Sequence, residues 1–170
     1  MATMARAWLA GAGMALLAGC ASQATSDSVS QQFDCDALGQ AVESAAGGFA
    51  DIKGRLDETS LTRTWETDVQ AFHDACLITS ARSPDHYVCF GRLALDSPQT
   101  ALTRGGEGLA QCLGDDWTAR RTSSERIEFA RDAAGPVVVL ETFLNDRGRR
   151  MGTLSVFQKA GDVAPMPDED

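Results

Sequence analysis

The two histidines are the side chains of this chain that ordinarily exchange protons near neutral pH. Each stands beside an aspartate: His73 precedes Asp74, and His86 follows Asp85. A histidine beside a carboxylate can act as a general acid or base. The two pairs fall before and after one predicted strand, about 20 Å apart at roughly 3.3 Å per residue, so they cannot form one dyad. We interpret each pair as polar turn chemistry. The alternative is a periplasmic enzyme of unrecognised type that uses His73/Asp74 or Asp85/His86.

The five cysteines are the second set of residues with chemical capability, and Cys20 stands apart from the others. It ends the amino-terminal segment MATMARAWLAGAGMALLAGC, in which Arg6 precedes an uncharged stretch from Ala7 to Gly19. This pattern is typical of a secretory signal peptide, and the apolar run is too short for a permanent membrane span. The run closes with Leu17-Ala18-Gly19-Cys20. This motif resembles the lipobox of bacterial lipoproteins: an aliphatic residue and two small residues before a cysteine.

The resemblance implies a covalent lipid anchor. In that family the peptide before the cysteine, here residues 1–19, is removed, and the thiol, here of Cys20, takes a diacylglyceryl group. The freed amine usually takes a further acyl chain such as palmitate. Two or three chains, each contributing about 0.8 kcal/mol per buried CH₂, hold a protein firmly to a membrane. Ala21 stands where an aspartate would favour retention in the inner membrane. For a Gram-negative source, this implies attachment to the outer membrane, facing the periplasm.

Cys35, Cys76, Cys89 and Cys112 are an even set, which in an exported protein predicts two disulfides with three possible connectivities. No C-x₂-C pair occurs, so neither a zinc site nor a thioredoxin-like redox motif is indicated, and we expect no metal and no cofactor. Cys76 and Cys89 lie about equally far from a predicted turn, which favours a cross-hairpin bond. Antiparallel helices would then join Cys35 to Cys112. The rival pattern pairs Cys35 with Cys76 and Cys89 with Cys112.

The composition narrows the classes of partner. The chain has 170 residues and a formal net charge of −9. That charge argues against nucleic acid and against electrostatic adhesion of the whole surface to anionic lipid. It would suit a basic protein partner, which electrostatic steering would bring in faster. Residues 20–32 predict a lipidated cysteine with a flexible tether, 33–159 a single domain, and 160–170 an acidic, proline-containing tail.

Two helices and two groups of strands are predicted within 33–159. Apolar residues spaced three and four apart from Cys35 to Leu56 predict a helix that Asp34 caps. Ser97-Pro98 predicts the start of a second helix, and Gly114 its end. Three strands follow each helix: LTRTWETDVQAF, CLITSA and HYVCFGRL, then SERIEFARD, PVVVLETFL and RRMGTLSVFQ. We predict an α+β fold of order αβββαβββ, with both helices on one face of a mostly antiparallel sheet of about six strands.

A non-catalytic envelope module is the function that these features favour: a tethered domain that binds or inhibits another protein or helps an envelope assembly. Arg147, Arg149 and Arg150 surround the last predicted turn. They could bind lipid phosphate or an acidic partner, or they could be a solvated turn. The pair Arg120-Arg121, before the fourth predicted strand, has the same two interpretations. Trp117 fits either a core position or a contact anchor. Both alternatives stay open at the level of sequence.

Overall fold

The computed structural model describes residues 32–58, 62–72, 75–81, 84–93 and 97–159. Cys20, His73, Asp74 and the tail 160–170 lie outside the described residues. The elements are helix α1 (Cys35–Ser44), a short 3-10 helix (Ala45–Gly47), strands β1 (Leu56–Glu58), β2 (Arg63–Glu66), β3 (Ala75–Thr79) and β4 (His86–Arg92), helix α2 (Pro98–Leu113), and strands β5 (Thr118–Ser123), β6 (Arg126–Ala130), β7 (Pro136–Leu144) and β8 (Arg150–Gln158).

The eight described strands form one sheet in the order β1-β2-β3-β4-β8-β7-β6-β5, and every neighbouring pair is antiparallel. Each half of the chain contributes a helix and four strands. The halves meet where β4 pairs with β8 over seven residue pairs, from His86–Phe157 to Arg92–Met151. The predicted α+β class and antiparallel sheet are therefore confirmed, and the strand order is symmetric about this junction.

The first helix is shorter than predicted. Asp34 caps its start, because the carboxylate accepts a hydrogen bond from the N–H of Ala37 at 3.0 Å, but the helix ends at Ser44 rather than near Leu56. Gly48 adopts a left-handed conformation with φ of 62°, which stops the helical turn. Phe49 follows with φ of 63° and is completely buried. The apolar spacing in the sequence continues past the end of the helix because Phe49, which lies in the following turn, is buried in the same core as the apolar residues of the helix.

The number of strands also differs from the prediction: the described residues form eight, not about six. Strand β1 begins at Leu56, the last residue of the segment predicted as helix, and β2 covers only Arg63–Glu66 of the long first predicted strand. Strand β5, of sequence TARRTS, was missed because all six of its residues are exposed and carry no apolar alternation. Arg120 and Arg121 therefore lie within an edge strand rather than before a strand.

Both helices pack on one face of the sheet. That face carries the alternate residues of each inner strand, including Tyr87, Leu140, Leu154 and Phe129, which are at most 1% exposed. Helix α2 can approach closely because a Cβ on Gly105 would lie 2.7 Å from Leu140, a distance that no larger residue could keep. The prediction that both helices share one face agrees with this packing.

The structure contains both predicted disulfides. Cys76 and Cys89 face each other directly in the β3–β4 register, with Cα atoms 4.0 Å apart. Cys35 at the start of α1 bonds to Cys112 near the end of α2, with Cα atoms 4.9 Å apart. The rival pairing is wrong, because all four of these cysteines are used in these two bonds. The long-range bond joins the helix of one half to the helix of the other.

Tyr87 connects the sheet to the loop before β3. Its hydroxyl accepts a hydrogen bond from the N–H of Ala71 at 3.0 Å and donates one to the carbonyl of Val69 at 2.9 Å. Burial raises the pKa of Tyr87 to about 12, because the phenolate would lose its hydration, although the Ala71 N–H favours the ionised form in part. The neutral hydroxyl is therefore a structural group at all physiological pH values.

The two disulfides should contribute unequally to stability. Their cysteines are 77 and 13 residues apart in sequence. Loop-closure entropy gives about 4.5 kcal/mol for the longer loop and about 3 kcal/mol for the shorter. We expect the double variant Cys35→Ala/Cys112→Ala to unfold at lower denaturant than Cys76→Ala/Cys89→Ala. Chemical denaturation at pH 7 measures the difference, and equal or reversed midpoints would contradict it.

Candidate functional site

The candidate site is the second face of the sheet, because both described helices pack on the first. We call it the open face. On β4 it presents the residues that alternate with the buried ones, and the registers extend the same face across β3, β8, β7 and β6. Its central members are Leu77, His86, Val88, Phe90, Val137, Val139, Glu141, Met151, Thr153, Ser155 and Phe157. This face is apolar along its middle and charged towards β5.

The ring of His86 stacks on the ring of Phe157 at the junction of the two halves. The centroids are 4.6 Å apart and the planes differ by 10°. This pair lies between two concavities. One, of about 470 Å³, is lined by Val137, Phe157 and Lys159 together with residues of β5 and β6. The other, of about 230 Å³, is lined by His86, Val88 and Ser155 with their neighbours on β3 and β7. His86 thus forms part of the wall of the smaller concavity.

Ion pairs cover the open face towards β5. Arg126 Nη2 lies 2.9 Å from Glu128 Oε1, Arg126 also pairs with Glu141, and Arg120 lies 3.1 Å from Glu128. Val139 sits opposite Glu128 and two residues before Glu141, and these side chains leave it only 2% exposed. The charged network therefore shields part of the apolar middle from water.

The same network changes the acidity of its members. Burial by itself would raise the pKa of Glu128, but the hydrogen bonds from Arg120 and Arg126 outweigh it and lower that pKa. Burial opposes the charge of Arg126 as well, yet its bonds to Glu141 and Glu128 raise its pKa. Glu128 is consequently ionised in the folded protein at all ordinary pH values.

The side chains of Asp85 and His86 lie on different sides of the sheet, although the two residues are adjacent in sequence. The carboxylate of Asp85 binds Lys53 Nζ at 2.7 Å. Lys53 in turn lies 4.2 Å from the centre of the Trp65 ring, which packs against the core on the helix side. The ring of His86 lies on the open face. Successive residues of a strand point to opposite faces, which explains the separation.

A third concavity, of about 420 Å³, lies on the helix side near β2. Its charged lining residues are Asp51, Lys53, Arg55, Glu66 and Asp68. Arg55 pairs with Glu66, and the hydrogen bond from Arg55 is the main cause that lowers the pKa of Glu66. The cations of this groove are therefore held by acids of the protein itself.

The remaining candidate residues from the sequence lie at separate places. Trp117 is half-buried against the core, with Arg131 5.9 Å from its ring, which favours the core interpretation. Arg121 donates a hydrogen bond to the Thr103 hydroxyl at 2.9 Å. Arg147 and Arg149 lie exposed in the β7–β8 turn, about 25 Å along β7 from the Trp117 end.

Arg150 begins β8 on the helix-covered face, opposite Leu144, and its Nη1 atom is buried. The structure therefore separates it from the exposed Arg147 and Arg149. Sequence analysis did not identify Phe157, Val88 or Ser155 as site residues. The alternation of β8 was the available signal, but it does not reveal which face the helices cover.

Within the residues that the structure describes, no group of three or more histidine, cysteine or acidic side chains could hold a metal ion. No helix in the described part of the chain is long and apolar enough to cross a membrane.

The chain was compared with protein-family models, with curated proteins and with solved structures, and none of the three comparisons found a match.

The Glu128 network should give the protein a measurable acid sensitivity. A lowered pKa in the folded state stabilises the fold above the ordinary glutamate pKa of about 4.3, and this stabilisation is lost as pH falls through the lowered value. We expect Glu128→Gln to lower the free energy of unfolding at pH 7 and to lose less stability than wild type between about pH 5 and pH 3.

Urea denaturation at several pH values measures this effect. Glu66, whose pKa is also lowered, contributes in the same direction, so the variant should retain part of the acid dependence. Glu107→Gln removes the same charge from the exposed surface of α2 and is the matched control. Parallel curves for wild type and Glu128→Gln would contradict the role of the network.

Proposed function

We propose that the protein is a lipid-anchored envelope module without catalytic activity, which binds a protein partner on the open face of its sheet. The observation that carries this proposal is the open face itself. It combines an apolar middle, the His86–Phe157 stack at the junction of the halves, and a concavity on each side of that stack. Extended apolar surface that a domain leaves uncovered commonly marks an interaction site.

The arrangement of polar groups supports binding rather than catalysis. The carboxylate beside His86 is held on the other side of the sheet by Lys53. The nearest acids on the open face, such as Glu141, are bound to arginine. Catalysis by a histidine needs groups that converge on one substrate atom. An uncovered sheet face with a rim of ion pairs suits recognition of a folded partner.

The amino-terminal sequence supports the anchored location. The LAGC motif at Leu17–Cys20 resembles a lipobox, and residues 21–32 are long enough to span about 40 Å when taut. A net charge of −9 would speed association with a basic partner. For a Gram-negative source, the proposal places the domain at the outer membrane, facing the periplasm.

The anchor predicts a simple loss on substitution. Cys20→Ser removes the thiol that would carry the diacylglyceryl group, so the protein should leave the detergent phase in phase partitioning and lose the mass of its acyl chains. Mass spectrometry of the amino-terminal peptide reads the lipid directly. A Cys20→Ser protein that partitions as wild type does would contradict the anchor.

If a partner binds the open face, its binding should depend on the residues at the centre of that face. A photo-crosslinking residue at Val88 should capture one protein in native envelopes, and the purified partner should then bind the purified full chain. Ser155→Arg places a charge at the rim of the smaller concavity and should weaken binding by about tenfold or more.

Gln111→Arg introduces the same charge on the exposed side of α2 and is the control that should bind as wild type does. Circular dichroism and the unfolding midpoint establish that both variants fold. If Ser155→Arg and Gln111→Arg bound the partner with equal affinity, the open face would not be the binding site. Loss of a turnover reaction in a folded His86→Ala variant that still binds the partner would replace the proposal with the enzyme alternative.

A further inference from the structure

The end of the sheet at the β7–β8 turn exposes more apolar side chain than any other described region. Phe143 is 39% exposed and faces Met151 across the hairpin, and Leu144 is 59% exposed. Phe90 on β4, 39% exposed, lies diagonally next to Met151 on the same face. Three of the four large apolar side chains that are exposed in the described residues therefore lie towards this end, Phe90 and Phe143 on the open face and Leu144 on the helix-covered face.

Arginines surround these apolar side chains. Arg147 and Arg149 are exposed in the turn, and neither forms an ion pair with any described residue. Arg92 faces Met151 at the end of β4. Asp146 is the one acid of the turn 145–149. The turn is thus basic on a protein whose net charge is −9.

The turn holds its arginines in a defined conformation. The side chain of Asn145 accepts hydrogen bonds from the N–H groups of Arg147 at 3.0 Å and Arg149 at 2.9 Å. The N–H of Gly148 donates to the carbonyl of Asn145 at 2.8 Å, and Gly148 has the positive φ of 68° that the turn requires. The turn is a fixed support for two guanidinium groups.

The chain also enters the domain near this end. Phe33 stacks on Phe72 with ring centroids 5.2 Å apart. The Phe72 ring packs so closely on Gly91 that a Cβ there would lie 2.5 Å away, and Gly91 pairs with Gly152, one residue pair before Arg92–Met151. The segment that joins Cys20 to Phe33 can span about 45 Å at most when fully extended.

We propose that this end of the sheet, formed by Phe90, Phe143, Leu144, Arg147 and Arg149, is a second membrane contact that touches the bilayer to which Cys20 is anchored. Apolar side chains enter the interface between headgroups and acyl chains, and arginines bind lipid phosphates through paired N–H donors. The inference rests on the anchored location proposed above. It orients the domain with the β7–β8 turn down and the open face sideways, accessible to a partner.

A local contact of this kind is compatible with the acidic surface as a whole. Electrostatic forces between exposed charges fall off over about 8 Å at physiological salt. The acids of the opposite end, such as Asp115 and Asp116, lie about 25 Å away along the strands. The phosphate group, present in zwitterionic and anionic lipids alike, is therefore the relevant ligand.

The test compares two labelled positions in the full chain reconstituted in vesicles of phosphatidylethanolamine and phosphatidylglycerol. Asp146→Cys carries an environment-sensitive fluorophore at the turn. Asp116→Cys, which removes the same charge from an exposed loop at the other end, is the matched control. We expect a nitroxide on the lipid headgroups to quench the label at position 146 several-fold more than the label at 116, and aqueous iodide to do the reverse.

Two further variants separate the contributions within the 146-labelled chain. Phe143→Ser/Leu144→Ser removes exposed side chains, so the fold should survive, and the lipid quenching should fall to the level at position 116. Arg147→Gln/Arg149→Gln should reduce it in part. Equal quenching at both positions in protein whose Cys20 is acylated would overturn the proposal.

The remaining outcomes distinguish this proposal from the anchor and from a protein partner. Mass spectrometry of the amino-terminal peptide reports acylation independently of the labels. Lipid quenching at position 146 without acylation would leave the second contact standing and remove the anchor. Protection of position 146 from iodide only when other envelope proteins are added, with no lipid quenching, would assign this surface to a protein and refute the membrane contact.

Discussion

The pairing of β4 with β8 is the interaction on which the rest of the structure depends. It joins the last strand of each half into one sheet through seven residue pairs. Because both halves contribute their strands to this junction, their helices come to the same face, and the second face is left uncovered by them. The His86–Phe157 stack exists only where the two halves meet, and each of its two rings lines one concavity of the open face.

The covered face is held together by contacts that need small residues and covalent bonds. Glycines at positions 91 and 152 let the ring of Phe72 lie directly on the β4–β8 pair, and Phe33 stacks on that ring. The Cys35–Cys112 bond fixes the two helices to each other, while Cys76–Cys89 fixes one hairpin. The exported location that we propose would supply the oxidising conditions in which such bonds persist.

Local signals in the sequence account for much of this fold. The Asp34 cap, the Ser97-Pro98 start and the cross-hairpin cysteine pair each depend on neighbouring residues, and each prediction agrees with the structure. The end of α1 was mispredicted because Phe49 continues the apolar spacing from outside the helix. Strand β5 was missed because it is held by its pairing with β6 and by the hydrogen bond from Arg121 to Thr103 of α2, and not by apolar alternation.

The candidate site was not predictable in the same way. The β4–β8 register joins residues 59 to 71 positions apart, and nothing in HYVCFGRL or RRMGTLSVFQ specifies that they pair. Without that register, neither the stack of His86 on Phe157 nor the cluster of Phe90 with Met151 follows from the sequence. The arginines of the last turn were identified from sequence, but the apolar side chains beside them were not.

The accessibility of the open face in solution tests the central claim most directly. Methyl groups of Leu77 and Val88 belong to the open face, and those of Ile78 and Leu140 are completely buried beneath the helices. A soluble paramagnetic agent added to the purified protein should broaden the methyl NMR signals of the first pair and leave the second pair sharp. Equal protection of both pairs would contradict the account, because it would mean that the second face of the sheet is covered as well.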